Sequence, residues 1–342
     1  MQMPGEKLVE KMWDSLVDKG IGSLLKPWQT RRDGRAETTN RAEEMLLLAQ
    51  AERDASDVRA GKKKVHREGK RVLLLEQNAE VVDGRAEPQL DIASVMGAAS
   101  QARAAQAVLD EVNVAKSILH AESLLHDDTQ EPNDKPLNSD WLRNWRDGAA
   151  RVSSDELQSL WGKILAGEVK TPGACSLRTL DFIKNLSVDE ARQIEKVCPF
   201  VVDRLHIFKY GVIGVKERGL DYGYFMFLEE LGLVNTGGMN LSYSWPSISP
   251  DKFNRGLFVE DRVIVVSGDD ASRQLVLNTI RVTPLGAQVF SLNQVPVDSD
   301  YWIKIAEACA AQGFDVEVGK YVDIGNGRVQ VVGGVKVGSG GN

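Results

Sequence analysis

Between Ser153 and Leu186 the chain reads SSDELQSLWGKILAGEVKTPGACSLRTLDFIKNL, and the apolar positions of this stretch frame the rest. Leu157, Leu160, Trp161, Ile164 and Leu165 recur at intervals of three and four, which puts them on one stripe of a helix. Ser153 or Ser154 supplies a cap for the free amides at its start. Gly167 with Thr171, Pro172 and Gly173 supplies the stop. A second helix follows the Pro-Gly break, and a third begins at Ser187, where Ser187 and Glu190 have capping-box spacing.

Upstream, residues 6–28 place Leu8, Met12, Leu16, Ile21, Leu24 and Leu25 in an amphipathic pattern interrupted at Gly20 and Gly22. The pattern predicts a helix that docks on another part of the protein. The alternative is an interfacial helix lying on a membrane with Trp13 and Trp28 at headgroup level, although its lysines are matched by acids. Residues 29–71 are polar and arginine-rich, suited to helix but poor in core-forming side chains. A long exposed helix, or a helical hairpin completed by a partner subunit, is expected there. From Val72 to about Asp127 alanine becomes frequent, and a further helix or pair of helices with close mutual approach is expected. TQEPNDKPLNSD, with Pro132 and Pro136, then breaks the pattern as a hinge or domain boundary.

Trp141, Leu142 and Trp145 are expected to anchor a compact helical region, and Pro199 to divide the segment 187–209. DYGYFMFLEELGLVNT predicts an aromatic-rich helix ending at Gly232. GLFVEDRVIVVSGD predicts a strand, and QLVLNTIRVTPLGAQVFSL a second strand leading to a short helix from about Pro284. This order over residues 187–292 resembles a winged-helix module. Within it, TGGMNLSYSWPSISPDKFNR reads as a polar loop whose Tyr243 and Trp245 either cover the sheet edge or contact a ligand. A helix from about Asp298 to Gln312, ended by Gly313, precedes short strands with a turn at 325–327 and a glycine-rich flexible tail.

The expected fold is mainly α with a C-terminal α+β region. Residues 1–130 form an extended helical, oligomerising part. Residues 138–292 form a central helical hub with the winged-helix-like module, and 293–342 a small α/β segment.

A formal net charge of -7 argues against a generally basic, nucleic-acid-binding surface. Lys62, Lys63, Lys64, Arg67, Lys70 and Arg71 nevertheless form the densest basic cluster. It reads as a solvated helix face, with contact to phosphate backbone or acidic lipid as the alternative. The helix from Asp221 to Leu231 carries Glu229 and Glu230, which repel phosphate. Cys175, Cys198 and Cys309 are too few and too far apart for a disulfide framework or a CxxC site, which fits a reducing cytoplasm. Cytoplasmic location is therefore expected, peripheral to the inner membrane if residues 6–28 engage lipid. No leader is visible at the start, and no stretch approaches eighteen apolar residues.

Candidate chemistry is sparse. Neither a GxxxxGK[ST] nor a GxGxxG loop occurs, and no histidine sits in an HExxH arrangement. His126, Asp127 and Asp128 with Glu122 are a conceivable metal set, against a solvated helix end. Ser159 and Lys163 miss the SxxK spacing by one residue. Cys175 and Cys198 read as packing residues, since no basic group pairs with either in sequence. No catalytic, cofactor-binding or metal residue is assigned, and an enzyme is disfavoured.

The central block also resembles the signature of an uncharacterised bacterial family, a domain of unknown function with an LWxKILAGE…PG…SLRTL pattern. The matching positions are Leu160, Trp161, Lys163 to Glu168, Pro172, Gly173 and Ser176 to Leu180. The similarity is expected to span most of residues 1–292. A fainter resemblance to helical segments of bacterial abortive-infection proteins implies phage defence by analogy alone. Gly162 stands where the pattern has alanine. Lys163 and Glu168 are read on polar faces, and Arg178 is expected to bond Glu168 or another acid across the Pro-Gly corner. The expected function is a non-enzymatic interaction, scaffold or sensor protein, homo-oligomeric and with a protein partner. One alternative is a nucleic-acid-associated protein using Lys62–Arg71, and another is a membrane-acting effector using residues 6–28.

Overall fold

The computed structural model describes residues 3–21, 37–68, 71–76, 92–213, 219–293, 295–325 and 328–338. Trp28, Lys70 and the tail after residue 338 lie outside the described residues. The chain divides into two compact units, residues 1–184 and 185–342. An N-terminal helical region and a helical hub make the first, and a mixed α+β region resembling a winged helix makes the second.

In the first unit, α1 (Pro4–Val17) buries Leu8, Met12 and Leu16 completely against α3 (Ile92–His126) and α5 (Asp155–Lys170). Its apolar face is therefore part of the core. Gly5 permits the approach, because a Cβ there would stand 2.1 Å from the His126 carbonyl oxygen. The 35 residues of α3 span about 52 Å. Its N-terminal half pairs with α2 (Glu37–Arg59) through Ala55, Val58, Ala105 and Leu109. Among the described residues of 72–127 there is thus one long helix, preceded by a strand.

The basic cluster is not on a helix. Residue Gly61, at φ 73°, ends the helical run, and β1 (Lys63–Glu68) pairs antiparallel with β2 (Arg71–Glu76). The register sets Lys63 opposite Glu76 and Glu68 opposite Arg71. Among the cluster's described side chains, Lys63 bridges Asp54 at 2.9 Å and Asp57 at 3.1 Å.

The hub is built around tryptophans. From α4 (Ser139–Ala149), the Trp145 indole donates to the Trp161 carbonyl at 2.9 Å, and the Trp141 indole to the Cys175 carbonyl at 2.8 Å. Gln158 donates to Asn113 at 3.0 Å, and Asn113 donates to the Ala150 carbonyl at 2.8 Å, so both buried amides are hydrogen-bonded. Ser154 caps α5 as the sequence suggests, but the helix runs through Gly167 and ends only at Thr171, with Gly173 at φ 94° turning the chain. The short helix α6 (Leu177–Lys184) follows.

The second unit opens with α7 (Val188–Glu195), whose Ser187–Glu190 capping box forms. Its first sheet centres on β8 (Gln274–Val282), flanked by β3 (His206–Phe208) on one edge, and by β4 (Val234–Asn235) and β5 (Ser242–Pro246) on the other. The stretch read as a polar loop therefore contains a strand. The stretch read as one strand, GLFVEDRVIVVSGD, belongs to an antiparallel hairpin of β6 (Phe253–Val259) and β7 (Arg262–Gly268). Its Glu260-Asp261 pair makes the two-residue turn, without the glycine or asparagine that commonly marks one. This hairpin joins β9 (Asp315–Gly325) and β10 (Arg328–Val337), both longer than expected, in a second sheet.

Helix α8 (Tyr222–Glu230) ends at Gly232, φ 73°, and α9 (Pro284–Phe290) starts at the TPLG turn. The two turns lock together, since the Thr283 hydroxyl donates to the Gly232 carbonyl at 2.7 Å. Gly286 leaves room for the Leu233 carbonyl, which a Cβ would meet at 2.0 Å. Helix α10 (Ser299–Ala310) packs across β8, β9 and β10, and its buried Tyr301 hydroxyl accepts the Phe208 backbone N–H at 2.7 Å.

Candidate functional site

A cleft of about 670 Å³ opens in the second unit. Its walls come from the turn around Asp203 and Arg204, the β6–β7 tip at Phe258 to Glu260, the end of α9 with the chain after it, and Tyr321 of β9.

The backbone of two of these walls is strained. Asp203 and Arg204, at φ 50° and 58°, are the central residues of a turn closed by the Leu205 N–H donating to the Val202 carbonyl at 3.0 Å. Positive φ at both positions is the type I′ pattern, which favours Asn-Gly or Asp-Gly. Arginine thus stands where glycine would be relaxed. Glu260, at φ 52°, opens the β6–β7 turn. These three are the non-glycine residues with positive φ among the described residues, and all three line the cleft. Such a conformation costs about 1–2 kcal/mol for an ordinary side chain and less for aspartate.

The chemistry is mixed. Phe258 and Tyr321 meet edge to face at 5.1 Å, and Phe290, Val201, Val295 and Val297 add apolar wall. Behind the turn, the Asp261 carboxylate pairs with Lys320 and its backbone carbonyl accepts the Tyr321 N–H at 2.9 Å, which fixes that wall. The side chains of Arg204 and Glu260 make no hydrogen bond or ion pair among the described residues.

Asp203 is exposed as a residue, and the cleft walls desolvate its carboxyl only in part. Burial pushes it up to about 6, against the pull of Arg255. A folded-state value above the unfolded one means the folded protein holds the proton more tightly, so stability falls as pH rises from about 4 through about 6. Asp203→Asn is expected to remove that slope. Thermal melts at pH 4.5 and 7 check it: the wild type loses Tm relative to the variant as pH rises, whereas parallel curves would mean an ordinary carboxyl.

Among the described residues of the cleft, no nucleophile is paired with a base. No histidine lines it, and the buried Cys198 thiol points to the Ile194 carbonyl at 3.7 Å. Burial pushes the Cys175 and Cys309 thiols up to about 12. Around the suggested metal set, Asp128 is taken by Lys170 at 2.9 Å and by the Gln130 N–H, while His126 lies 3.2 Å from Asp127. Among the described residues no group of three or more metal-ligating side chains converges.

Tyr243 and Trp245 reach across the first sheet, with ring centres 5.2 Å from His206, and Trp245 is buried. Burial and Arg281 hold His206 down at about 4, so it is neutral at physiological pH. In the first unit, Glu168 is buried instead of lying on a polar face. Its carboxylate accepts the backbone N–H of Gly173 at 2.7 Å and of Cys175 at 3.2 Å. Backbone amides thus hold the Pro-Gly corner, the task assigned from sequence to Arg178, which is exposed.

The cleft residues escaped sequence reasoning because neither turn carries the glycine or asparagine that would mark it. The available signal was a charged pair, Asp203-Arg204 or Glu260-Asp261, interrupting an otherwise largely apolar stretch.

Residues 99–207 match a family described as "Protein of unknown function (DUF2806)". The match contains α5, the Glu168 corner and the Asp203-Arg204 turn, but not the β6–β7 tip or β9. No match was found among curated proteins or among solved structures.

Proposed function

We propose that this chain is a non-enzymatic interaction and sensor protein whose second unit binds a small ligand in the cleft and whose helical unit engages protein partners, further copies included. The observation that carries it is the convergence of Asp203, Arg204 and Glu260, all with left-handed backbone, on one cleft. Strain of this kind persists where a side chain is needed at that point. In support of the helical part, Leu46 and Met96 are 70% and 67% exposed on α2 and α3, apolar side chains open to a partner. The phage-defence setting rests on the abortive-infection resemblance alone.

Arg204→Gly separates stability from binding. Relief of the left-handed arginine is expected to raise stability by up to about 1 kcal/mol, read from urea unfolding. Ligand-observed NMR with a library of amino acids, dipeptides, nucleotides and sugar phosphates should give hits on the wild type that the variant loses. Hits retained by the variant, or none on the wild type, would defeat the reading.

A further inference from the structure

Taking that cleft as a ligand site, we infer that it accepts a small zwitterion with an apolar body, of dipeptide size, its carboxylate on Arg204 and its ammonium on Glu260. The inference rests on the reading above and narrows it to a chemical class.

Two formal charges of the cleft lack a protein partner among the described residues, and both are exposed and sit on turns. Arg204 is on the turn before β3, and Glu260 at the β6–β7 tip. They line one cleft without forming an ion pair, so a ligand that bridges them supplies each with the opposite charge. Asp203, the third charge, is already balanced in part by Arg255. A polyphosphate or sugar phosphate fits poorly, because a doubly negative group on Arg204 would face the carboxylates of Asp203 and Glu260. A simple cation fits poorly as well, since it leaves Arg204 unpaired. Phe258, Phe290, Val295 and Val297 of the same lining offer apolar contact. A volume of about 670 Å³ lies in the range of sites that enclose a molecule larger than one amino acid. A protein terminus carries one of the two charges, so a free molecule bearing both is the better occupant.

Calorimetric titration of the full chain with leucyl-phenylalanine, its N-acetyl form and its C-terminal amide tests this. The parent dipeptide is expected to bind, and loss of either ligand charge to weaken it about tenfold or more. Glu260→Gln should weaken the parent to a similar degree while leaving the N-acetyl form no weaker than on the wild type. Arg204→Gln should do the same for the amide. These cycles read a direct pairing, which a merely structural role of either residue would not produce. Equal binding of parent and N-acetyl forms, or of parent and amide, overturns the zwitterion. If the dipeptides fail but another class from the NMR library binds and is lost in Arg204→Gly, the ligand class falls and the cleft stands. If nothing binds, both fall.

Discussion

Replacing Glu168 by alanine is expected to destabilise the first unit by about 2–3 kcal/mol, because two backbone donors of the Pro-Gly corner lose their acceptor. The Cys175 N–H is buried and has no ready access to water. The loss also spreads, since the Cys175 carbonyl accepts the buried Trp141 indole and so ties the corner to α4. Glu168→Gln should cost less, as its carbonyl retains the 2.7 Å bond from Gly173 while its amide group cannot accept from Cys175. Burial raises the Glu168 carboxyl above its ordinary value, against the amide bonds and the charge of Lys135. The folded state therefore holds this proton more tightly, and the wild type loses stability as pH rises through the folded value. Urea unfolding across pH 4 to 8 should show a steeper fall in the wild type than in the glutamine variant, the part due to Asp203 remaining in both. An alanine variant within 0.5 kcal/mol of wild type would mean that the corner stands without the carboxylate.

That corner illustrates which features the sequence made readable. The stripe through Trp161, Ile164 and Leu165, the capping box at Ser187 and the glycine stops at 232 and 313 are local signals, and each appears in the structure where its spacing puts it. The LGLV and TPLG turns were also legible, and their mutual lock explains why the winged-helix-like order is seen. Glu168 was misplaced because helical periodicity reports a face and says nothing of what a later turn brings to it. A carboxylate on a nominally polar arc is buried once residues 172–175 fold over it. The basic cluster was misread for a related reason. Lysine and arginine are good helix formers, and the antiparallel register that makes 63–76 a hairpin pairs residues up to 13 apart. The cleft was the least legible feature, since it joins residues from 198 to 321 and its diagnostic property is a positive φ at residues that seldom adopt it.

Alanine substitutions at three glycines of the hub should fall in a fixed order, and the order tests the tryptophan packing directly. At Gly148 a Cβ would stand 2.0 Å from the Trp161 ring, which is fully buried and whose carbonyl is held by Trp145. The ring has nowhere to move, so Gly148→Ala is expected to cost about 2–3 kcal/mol even after the gain in helix propensity. At Gly162 a Cβ would stand 2.6 Å from the His120 Cβ and 2.9 Å from the Ser117 carbonyl, both on α3. A helix can shift by a few tenths of an ångström, so Gly162→Ala should cost about 1–2 kcal/mol although it restores the alanine of the family-like pattern. At Gly167 nothing lies within 4 Å, and the position is inside a helix, so Gly167→Ala should stabilise by up to about 1 kcal/mol. All three add the same methyl group to a helix, and only what that methyl meets differs. Urea midpoints in the order 148, 162, wild type, 167 would follow from α3 and α5 meeting at Gly162 with the Trp161 ring seated on Gly148. Stabilisation by alanine at 148 would require that the Trp161 ring is not seated there, and at 162 that α3 and α5 do not meet there.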